Sequence, residues 1–187
     1  MILYLQVSRY LLGAESPRVV KVFTAFSDGT LSLGQHRVRC ALGKGGVRPA
    51  DEKREGDGAS PLGIWPVRYV FYRPDRMSAP ETALATRALQ PDDGWCDDAA
   101  SPDYNKLVKL PFSTSHEVLW RDDHVYDVIV VLGHNDDPPV PGMGSAIFLH
   151  LARPDYSGTE GCVAVALDDM LELLREAEPG DAVDIRG

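Results

Sequence analysis

The chain has 187 residues, of which 44% are hydrophobic and 25% charged, a size and composition that suit one globular domain with a single core. The formal net charge of −9 argues against a nucleic acid or an anionic membrane as partner, because both are bound through clustered lysine and arginine side chains. No apolar run in the sequence approaches the length needed to cross a bilayer. We therefore expect residues 1–187 to form a single domain without a transmembrane segment.

The first half of the sequence is rich in β-branched and aromatic residues and predicts strands. The N-terminal segment has neither a basic start before a long apolar stretch nor a cleavage site of small residues, so it predicts a strand rather than a secretory signal. Pro66 lies within the last of these segments and indicates a sheet edge or a bulge. The predicted strands are Ile2–Val7, Val19–Phe26, Leu31–Leu42 and Ile64–Tyr72.

The second half predicts a loop, buried strands and helical segments. Pro80–Leu89 predicts a short helix with proline at an early position, and the polar segment Gln90–Lys106 predicts a long surface loop. The spacing of apolar residues in Leu167–Ala177 predicts an amphipathic helix. The predicted strands of this half are Asp127–Gly133, Ala146–Leu151 and Ala182–Ile185, and Val163–Val165 is a short apolar segment. The expected fold class is mostly β, with one or two helices packed on the strands.

The three cysteines, Cys40, Cys96 and Cys162, leave at least one thiol without a disulfide partner in the chain. Cys40 and Cys96 are either a disulfide pair or, in the simpler interpretation, two small buried hydrophobic residues. The sequence lacks Cys-x-x-Cys and His-x-x-x-His spacings, so we expect no metal site. The glycine-rich segment 43–46 lacks the Gly-Lys-Ser/Thr of a nucleotide-binding loop, and we expect no cofactor.

Cys162 follows a glycine and lies a short loop after His150, which ends an apolar strand segment. A thiolate can carry out acyl transfer when a partner raises its fraction near neutral pH, and an imidazole does so most simply. Gly161 has no Cβ, so the backbone N–H groups of Gly161 and Cys162 can approach a substrate carbonyl and stabilise its oxyanion. The alternative is a buried core cysteine and a structural histidine, because the spacing by itself is weakly diagnostic.

Three blocks of sequence carry a resemblance to a known family. The first, Lys53–Gly63, has the sequence K-R-E-G-D-G-A-S-P-L-G, the second extends from Val131 to His150, and the third, Thr159–Val163, is T-E-G-C-V. Together they resemble the L,D-transpeptidase catalytic domain, also called the YkuD family, whose signature is a histidine at a strand end, a variable loop and Ser/Thr-His-Gly-Cys. The resemblance implies a β-sandwich or barrel in which Cys162 is the nucleophile and His150 the general base.

The chain departs from the family pattern at three positions. Glu160 stands where the family often has histidine, and Ala164 where it often has arginine or asparagine. Arg153 in the intervening loop is either the replacement ligand for a substrate carboxylate or a solvated loop arginine. Leu151 stands where glycine or serine often follows the histidine, but the backbone carbonyl at that position can orient the imidazole whatever its side chain.

The resemblance also implies the substrate, which is a peptidoglycan stem peptide. The thiolate would attack the carbonyl at the L-centre of a diacid residue and expel D-alanine, and an amine or water would then take the acyl group from the thioester. Thr159 and Glu160 are expected to contact the substrate. His134 would line the same cleft or be structural, and Tyr104 in the long loop would form a lid or a substrate wall.

The resemblance implies a periplasmic protein, although the missing export signal leaves the cytoplasm open. Three alternatives remain at this level. The same scaffold could hydrolyse peptidoglycan cross-links or protein–peptidoglycan amide bonds, it could bind a cell-wall peptide without chemistry, or it could be a cytoplasmic acyltransferase acting on a different amide. The sequence does not indicate an oligomeric state.

Overall fold

The computed structural model describes residues 19–187, so the strand predicted at Ile2–Val7 lies outside the described residues. Within residues 19–187 the chain forms fourteen β-strands and one α-helix, α1 (Leu167–Glu176), which makes the described chain mostly β. None of the helical structure in this range is long and apolar enough to span a membrane. The strands are β1 (Val22–Phe26), β2 (Thr30–Leu33), β3 (His36–Ala41), β4 (Val47–Arg48), β5 (Ser60–Pro61), β6 (Gly63–Tyr72), β7 (Thr86–Ala88), β8 (Asp93–Cys96), β9 (Leu107–Lys109), β10 (His116–Val118), β11 (Val128–Leu132), β12 (Phe148–Leu151), β13 (Val163–Val165) and β14 (Ala182–Arg186).

The main sheet closes on itself. Its strand order is β11-β12-β13-β3-β2-β1-β14-β6-β7, and β11 also pairs with β6, so that all of these strands except β7 belong to a ring. Closure satisfies the backbone hydrogen-bonding groups that an open edge would leave unpaired. The expected mostly β fold with one or two helices is confirmed, in the form of a barrel-like sheet and one helix.

The inside of the ring holds the larger apolar core. Inward-facing side chains such as Phe23, Val130 and Leu149 pack there, and α1 adds the buried residues Met170, Leu173 and Leu174. Each fully buried side chain of this size contributes about 1.5 to 3 kcal/mol to the free energy of unfolding. The helix predicted at Leu167–Ala177 is confirmed by this arrangement.

A second apolar cluster lies on the outer face of β6, β11 and β12. Alternate residues of these strands point outward, among them Phe71, Ile129 and Phe148, and a second, three-stranded sheet in the order β10-β8-β9 covers them. Trp95 on β8 packs edge-on against Phe148, with 5.1 Å between ring centroids. The space between the two sheets holds the candidate site.

Two expectations for residues 80–106 are wrong. The segment predicted as a helix at Pro80–Leu89 contains β7 instead, which pairs in parallel with the free edge of β6, and the backbone N–H of Val70 donates to the carbonyl of Ala85 at 2.9 Å. The segment Gln90–Lys106 is not a surface loop throughout, because it contains the buried strand β8. The buried Asp93 forms ion pairs with Lys109 and Arg87, and such pairing allows polar residues to occupy a strand interior.

The alternatives left open for Pro66 and for the cysteines are decided by the structure. Pro66 does not lie in an edge strand: it pairs with Ala182 of β14, and its carbonyl accepts from the N–H of Gly133, which follows β11, at 2.8 Å. The ladder between β11 and β6 has its register irregularity close to this point. Cys40 and Cys96 are free and buried, so the interpretation as two small hydrophobic residues is confirmed and the disulfide is not formed.

Candidate active site

A cavity of about 580 Å³ lies between the main sheet and the second sheet, and both Cys162 and His150 line it. Three other residues expected to contact a substrate, Arg153, Thr159 and Glu160, line the same cavity. The exposed fraction is 6% for Cys162 and 5% for His150, so both side chains reach solvent narrowly, through this cavity. The structure therefore brings together the histidine and cysteine of the sequence motif.

The register of two parallel strands accounts for this meeting. Leu149 of β12 is aligned with Val163 of β13, and both side chains point into the main core. Successive side chains on a strand point to opposite faces. His150, one position after Leu149, and Cys162, one position before Val163, consequently point to the outer face and into the cavity.

The imidazole of His150 is oriented by the backbone of its neighbour. Its Nδ1 lies 2.9 Å from the carbonyl oxygen of Leu151. Because a carbonyl only accepts hydrogen bonds, Nδ1 carries the proton and Nε2 keeps its lone pair. Burial lowers the pKa of His150 to about 4, and the positive charges of Arg153 and Arg121 act in the same direction. The ring is therefore neutral at physiological pH and able to accept a proton at Nε2.

The thiol of Cys162 is also neutral. Its Sγ donates to the carbonyl of Ala146 at 3.2 Å and accepts from the N–H of Phe148 at 3.4 Å, and among the described residues His150 is not one of its hydrogen-bond partners. Burial raises the pKa of the Cys162 thiol to about 12, and the carboxylate of Glu117 adds to the effect. The sequence predicts a raised thiolate fraction, whereas burial in the structure keeps the proton on sulfur.

Two hydroxyl groups hold the turn that carries Cys162. Thr159 Oγ1 donates to the carbonyl oxygen of Cys162 at 2.7 Å and accepts from the N–H of Gly161 at 3.1 Å. Ser60 Oγ donates to the same Cys162 carbonyl at 3.2 Å and accepts from the N–H of Gly43 at 2.9 Å. The Gly161 N–H is thus occupied by Thr159, which leaves the N–H of Cys162 as the better candidate for an oxyanion donor.

Gly161 is required by the space behind this turn. Its φ is +130°, and a Cβ placed on it would lie 2.9 Å from the carbonyl oxygen of Ala59. Residues with a Cβ rarely adopt this backbone conformation, and the Ala59 oxygen that the Cβ would meet belongs to the backbone and cannot easily move aside. The close approach, rather than a direct role at the substrate, explains why glycine precedes the cysteine.

The first block of the family resemblance forms the wall against which the cysteine turn packs. Lys53 is 2% exposed, and its ammonium group donates to the carboxylate of Asp57 and to the carbonyl of Arg54. Asp57 also accepts from the N–H of Ala59 at 2.9 Å, which fixes the strand segment that touches Gly161. A buried lysine is tolerated here because its charge is paired and hydrogen-bonded.

Asn105 connects the second sheet, β10-β8-β9, to the backbone beside Cys162. Its Oδ1 accepts from Trp95 Nε1 at 2.9 Å and from the N–H of Ala146 at 3.0 Å, and its Nδ2 donates to the carbonyl of His134 at 3.1 Å. Ala146, whose carbonyl accepts the Cys162 thiol, has a φ of +52°. The side-chain amide of Asn105 therefore holds the peptide that in turn holds the sulfur.

Of the expected substrate contacts, two side chains lie outside the cavity lining. Tyr104 is 2% exposed, and its hydroxyl donates to Glu55 Oε2 at 2.6 Å. His134 is 4% exposed, packs edge-on against Trp65 and shares a hydrogen bond of 3.1 Å between its Nε2 and the carbonyl of Met143. Burial lowers the pKa of His134. Tyr104 thus holds Glu55, a residue of the cavity lining, whereas Trp65 and Met143, which contact the His134 ring, lie outside that lining.

An exposed ion pair lies at the rim of the cavity. Glu160 is exposed and pairs with Lys44, with 2.6 Å between Oε1 and Nζ. An exposed pair of this kind contributes little to stability, typically below about 1 kcal/mol. It opens easily, so Glu160 remains available to a ligand entering the cavity.

Three further lining residues, Glu117, Arg121 and Tyr126, have no counterpart in the sequence predictions. They come from β10 and from the segment that follows it, where the sequence shows neither a long apolar alternation nor a motif. The isolated carboxylate and guanidinium groups resemble ordinary surface charges until the second sheet positions them over β12 and β13.

In a comparison with known families, residues 18–185 match the L,D-transpeptidase catalytic domain (YkuD). The match covers most of the chain and includes Cys162, His150 and the Lys53 block. The chain therefore belongs to the L,D-transpeptidase catalytic domain family. Comparison with curated protein sequences finds no match.

Two similar solved structures are L,D-transpeptidases. The first is L,D-transpeptidase 1 of Mycobacterium tuberculosis, with 13% identity and a TM-score of 0.39 over 90% of this chain and 62% of that one. The second is an L,D-transpeptidase from Mycobacterium smegmatis, with 12% identity and a TM-score of 0.40 over 89% of this chain and 58% of that one. The chain thus spans about three-fifths of the length of these structures.

Proposed function

We propose that this protein is a cysteine acyltransferase that acts on peptidoglycan stem peptides, with Cys162 as nucleophile and His150 as general base. The observation that carries the proposal is the shared cavity: adjacent parallel strands present the thiol and the imidazole on one face, next to space for a peptide. Family membership over residues 18–185 supports the substrate class. The proposed place of action is the cell wall compartment, which is periplasmic if the source has an outer membrane.

In the proposed first step, the proton of the Cys162 thiol leaves the carbonyl of Ala146 and passes to Nε2 of His150 as the sulfur attacks the substrate carbonyl. The carbonyl electron pair moves onto oxygen, where the N–H of Cys162 donates to the oxyanion. Such a donor is worth on the order of 3 kcal/mol in the transition state. Because both groups start neutral, proton transfer accompanies attack instead of preceding it.

In the proposed second step, the tetrahedral intermediate collapses. The C–N bond breaks, and His150 returns its proton to the leaving amine of D-alanine. The acyl group is now a thioester on Cys162. An amine then gives a cross-link, and water gives the carboxypeptidase product. Arg153 is the proposed ligand for a substrate carboxylate, because it lines the cavity and the family's arginine or asparagine is replaced here by Ala164.

The experiment is intact-mass spectrometry of the purified protein after incubation with a muropeptide that carries a tetrapeptide stem. We expect a mass increase equal to the acyl group in the wild type and in Cys40→Ala, and none in Cys162→Ala. Cys40→Ala is a matched control because Cys40 is a buried thiol outside the cavity. An adduct that persists in Cys162→Ala, or the absence of any adduct in the wild type, would overturn the proposal.

A further inference from the structure

Glu117 faces the nucleophile from the opposite wall of the cavity. In the antiparallel pair of β10 and β8, Glu117 is aligned with Trp95, and directly opposed residues share one face of a sheet. Trp95 packs on Phe148, whose N–H approaches Cys162 Sγ at 3.4 Å. Glu117 therefore projects from the second sheet toward the main sheet, and its side chain lines the same cavity as Cys162 and His150.

Tyr126 fixes one oxygen of this carboxylate and leaves the other available. The Tyr126 hydroxyl donates to Glu117 Oε1 at 2.6 Å. The Tyr126 ring lies edge-on to the imidazole of His150, with 5.3 Å between the ring centroids. Among residues 19–187, none donates a hydrogen bond to Glu117 Oε2. Tyr126 thus contacts both the carboxylate of Glu117, whose second oxygen stays open, and the imidazole of His150.

This carboxylate opposes the chemistry of the thiol, and the guanidinium group of Arg121, which lines the same cavity, offsets only part of its charge. Its negative charge adds to the burial that raises the pKa of Cys162, and burial also raises the pKa of Glu117 itself. A negative charge next to a thiol nucleophile makes its deprotonation harder. A positively charged ligand bound at Glu117 would remove this penalty, so the arrangement fits an enzyme whose second substrate is cationic.

We propose that Glu117 binds the ammonium group of the acyl acceptor and accepts its first proton, an inference that rests on the acyl-transfer function proposed above. The acceptor is an alkyl amine, which is protonated at neutral pH and cannot attack in that form. In the step, the amine nitrogen forms the C–N bond and the C–S bond breaks, with its electron pair going to sulfur. Of the two protons that nitrogen loses, Glu117 takes one and later releases it to solvent, and His150 carries the other to Sγ.

The inference separates two acceptors by their charge. Nα-acetyl-L-lysine carries an ammonium group, whereas hydroxylamine is uncharged at neutral pH and loses a proton only as it attacks. Both would attack the same thioester of Cys162. A residue that binds and deprotonates an ammonium group matters for the first acceptor and not for the second.

The test compares wild type with Glu117→Gln, which keeps the size of the side chain and an oxygen for Tyr126. With a tetrapeptide-stem muropeptide as donor, we expect acyl-enzyme formation to be at least as fast as in wild type, because the substitution removes a charge that raises the pKa of Cys162. Transfer to Nα-acetyl-L-lysine should be about a hundredfold slower, the lower end of the usual general-base contribution. Transfer to hydroxylamine should stay within about threefold of wild type. Raising the pH should restore lysine transfer in Glu117→Gln by about tenfold per unit, because the free amine fraction increases toward its pKa of about 10.4.

Glu117→Asp keeps the charge and should recover part of the lysine transfer, and it also serves if Glu117→Gln does not fold. Equal losses with both acceptors would mean a structural role, and no loss with either would mean that Glu117 does not meet the acceptor. Both results would overturn the inference while leaving the acyltransferase function intact. A wild type without acyl-enzyme would overturn the function and the inference together.

Discussion

Thr159 Oγ1 lies 2.7 Å from the carbonyl oxygen of Cys162 and 3.1 Å from the nitrogen of Gly161, so one side chain closes the turn on both sides of the nucleophile. The sequence predicts Thr159 as a substrate contact. Its position explains more directly why Ser or Thr opens the Thr159–Val163 block: the hydroxyl both donates and accepts within the turn.

Thr159→Val tests this relationship, because valine keeps the shape and removes the hydroxyl. We expect the free energy of unfolding to fall by about 1 to 3 kcal/mol, since the buried N–H of Gly161 loses its acceptor. Urea denaturation measures the change, and the rate of Cys162 acylation should fall with it. Thr159→Ser retains the hydroxyl and should stay close to wild type. Equal stability of the valine and serine variants would contradict the role assigned to the hydroxyl.

Gly161→Ala tests the space behind the turn. Alanine must adopt a φ of +130° and bring Cβ to 2.9 Å from the carbonyl oxygen of Ala59. We expect a loss of at least about 2 kcal/mol in the free energy of unfolding, together with slower acylation.

Gly142→Ala is the matched control for this substitution. Gly142 also has a positive φ, +78°, but a Cβ there would meet nothing within 4 Å. We expect this variant to lose about 1 kcal/mol from backbone strain alone. If the two alanine variants were equally stable, the contact with Ala59 would not be the reason for glycine at 161.

The protonation of Cys162 predicts how it reacts with iodoacetamide. Because the pKa of the thiol is raised to about 12, the thiolate fraction should increase about tenfold per pH unit across the range from about pH 7 to 10. Intact-mass measurement of alkylation gives the rate, with Cys162→Ala to subtract reaction at other thiols. An unperturbed thiol reaches a plateau above its pKa of about 8.5. A plateau of that kind in this protein would mean that burial does not raise the pKa of Cys162, and a rate independent of pH from about pH 7 would mean that His150 already holds the thiol proton.

The buried neutral imidazole of His150 predicts an acid-sensitive stability. Its pKa is about 4 in the folded protein and ordinarily 6.5, so between these values the unfolded chain binds the proton more strongly. Stability is therefore fully present above about pH 6.5 and is lost as the pH falls toward 4, by about 3 kcal/mol in total.

His150→Gln separates the effect of His150 on stability from the effects of His134 and the carboxylates, because these other groups are present in both wild type and variant. The difference in the free energy of unfolding between wild type and His150→Gln should shift by about 3 kcal/mol between pH 7 and pH 4. Urea denaturation at several pH values measures the shift. A difference that is independent of pH would show that His150 titrates normally.

The parts of the molecule that the sequence predicts are those with a strong local pattern. The apolar strands β11 and β12 follow from their continuous apolar runs and the amphipathic helix α1 from its periodicity, and the motif correctly suggests that Cys162 and His150 face one cavity. The second sheet, β10-β8-β9, does not follow from a pattern, because its strands are short and β8 carries the buried Asp93, whose ion pairs with Lys109 and Arg87 no sequence motif indicates. β7 forms against an available edge of β6 rather than from its own propensity.

The electrostatic state of the site likewise depends on tertiary structure. Proximity of an imidazole to a thiol suggests activation, and sequence carries no information on how deeply either group is buried. Glu117 is brought to the cavity by a sheet that the sequence does not indicate, and Tyr126 by the segment that joins this sheet to β11. The roles of Gly161 and Thr159 within the turn also depend on tertiary structure. Gly161 is required by the carbonyl of Ala59, which is far away in the sequence, and Thr159 acts through the direction of its hydroxyl group.

The alternation along β12 ties folding and chemistry to a single register. Leu149 and Leu151 belong to the main core, whereas Phe148 and His150 point to the outer face of the sheet, Phe148 into the second apolar cluster and His150 into the cavity. Insertion or deletion of one residue within β12 would exchange the two sets, placing an imidazole among hydrocarbon and a leucine beside the thiol. This strand should accordingly tolerate point substitutions far better than changes in length.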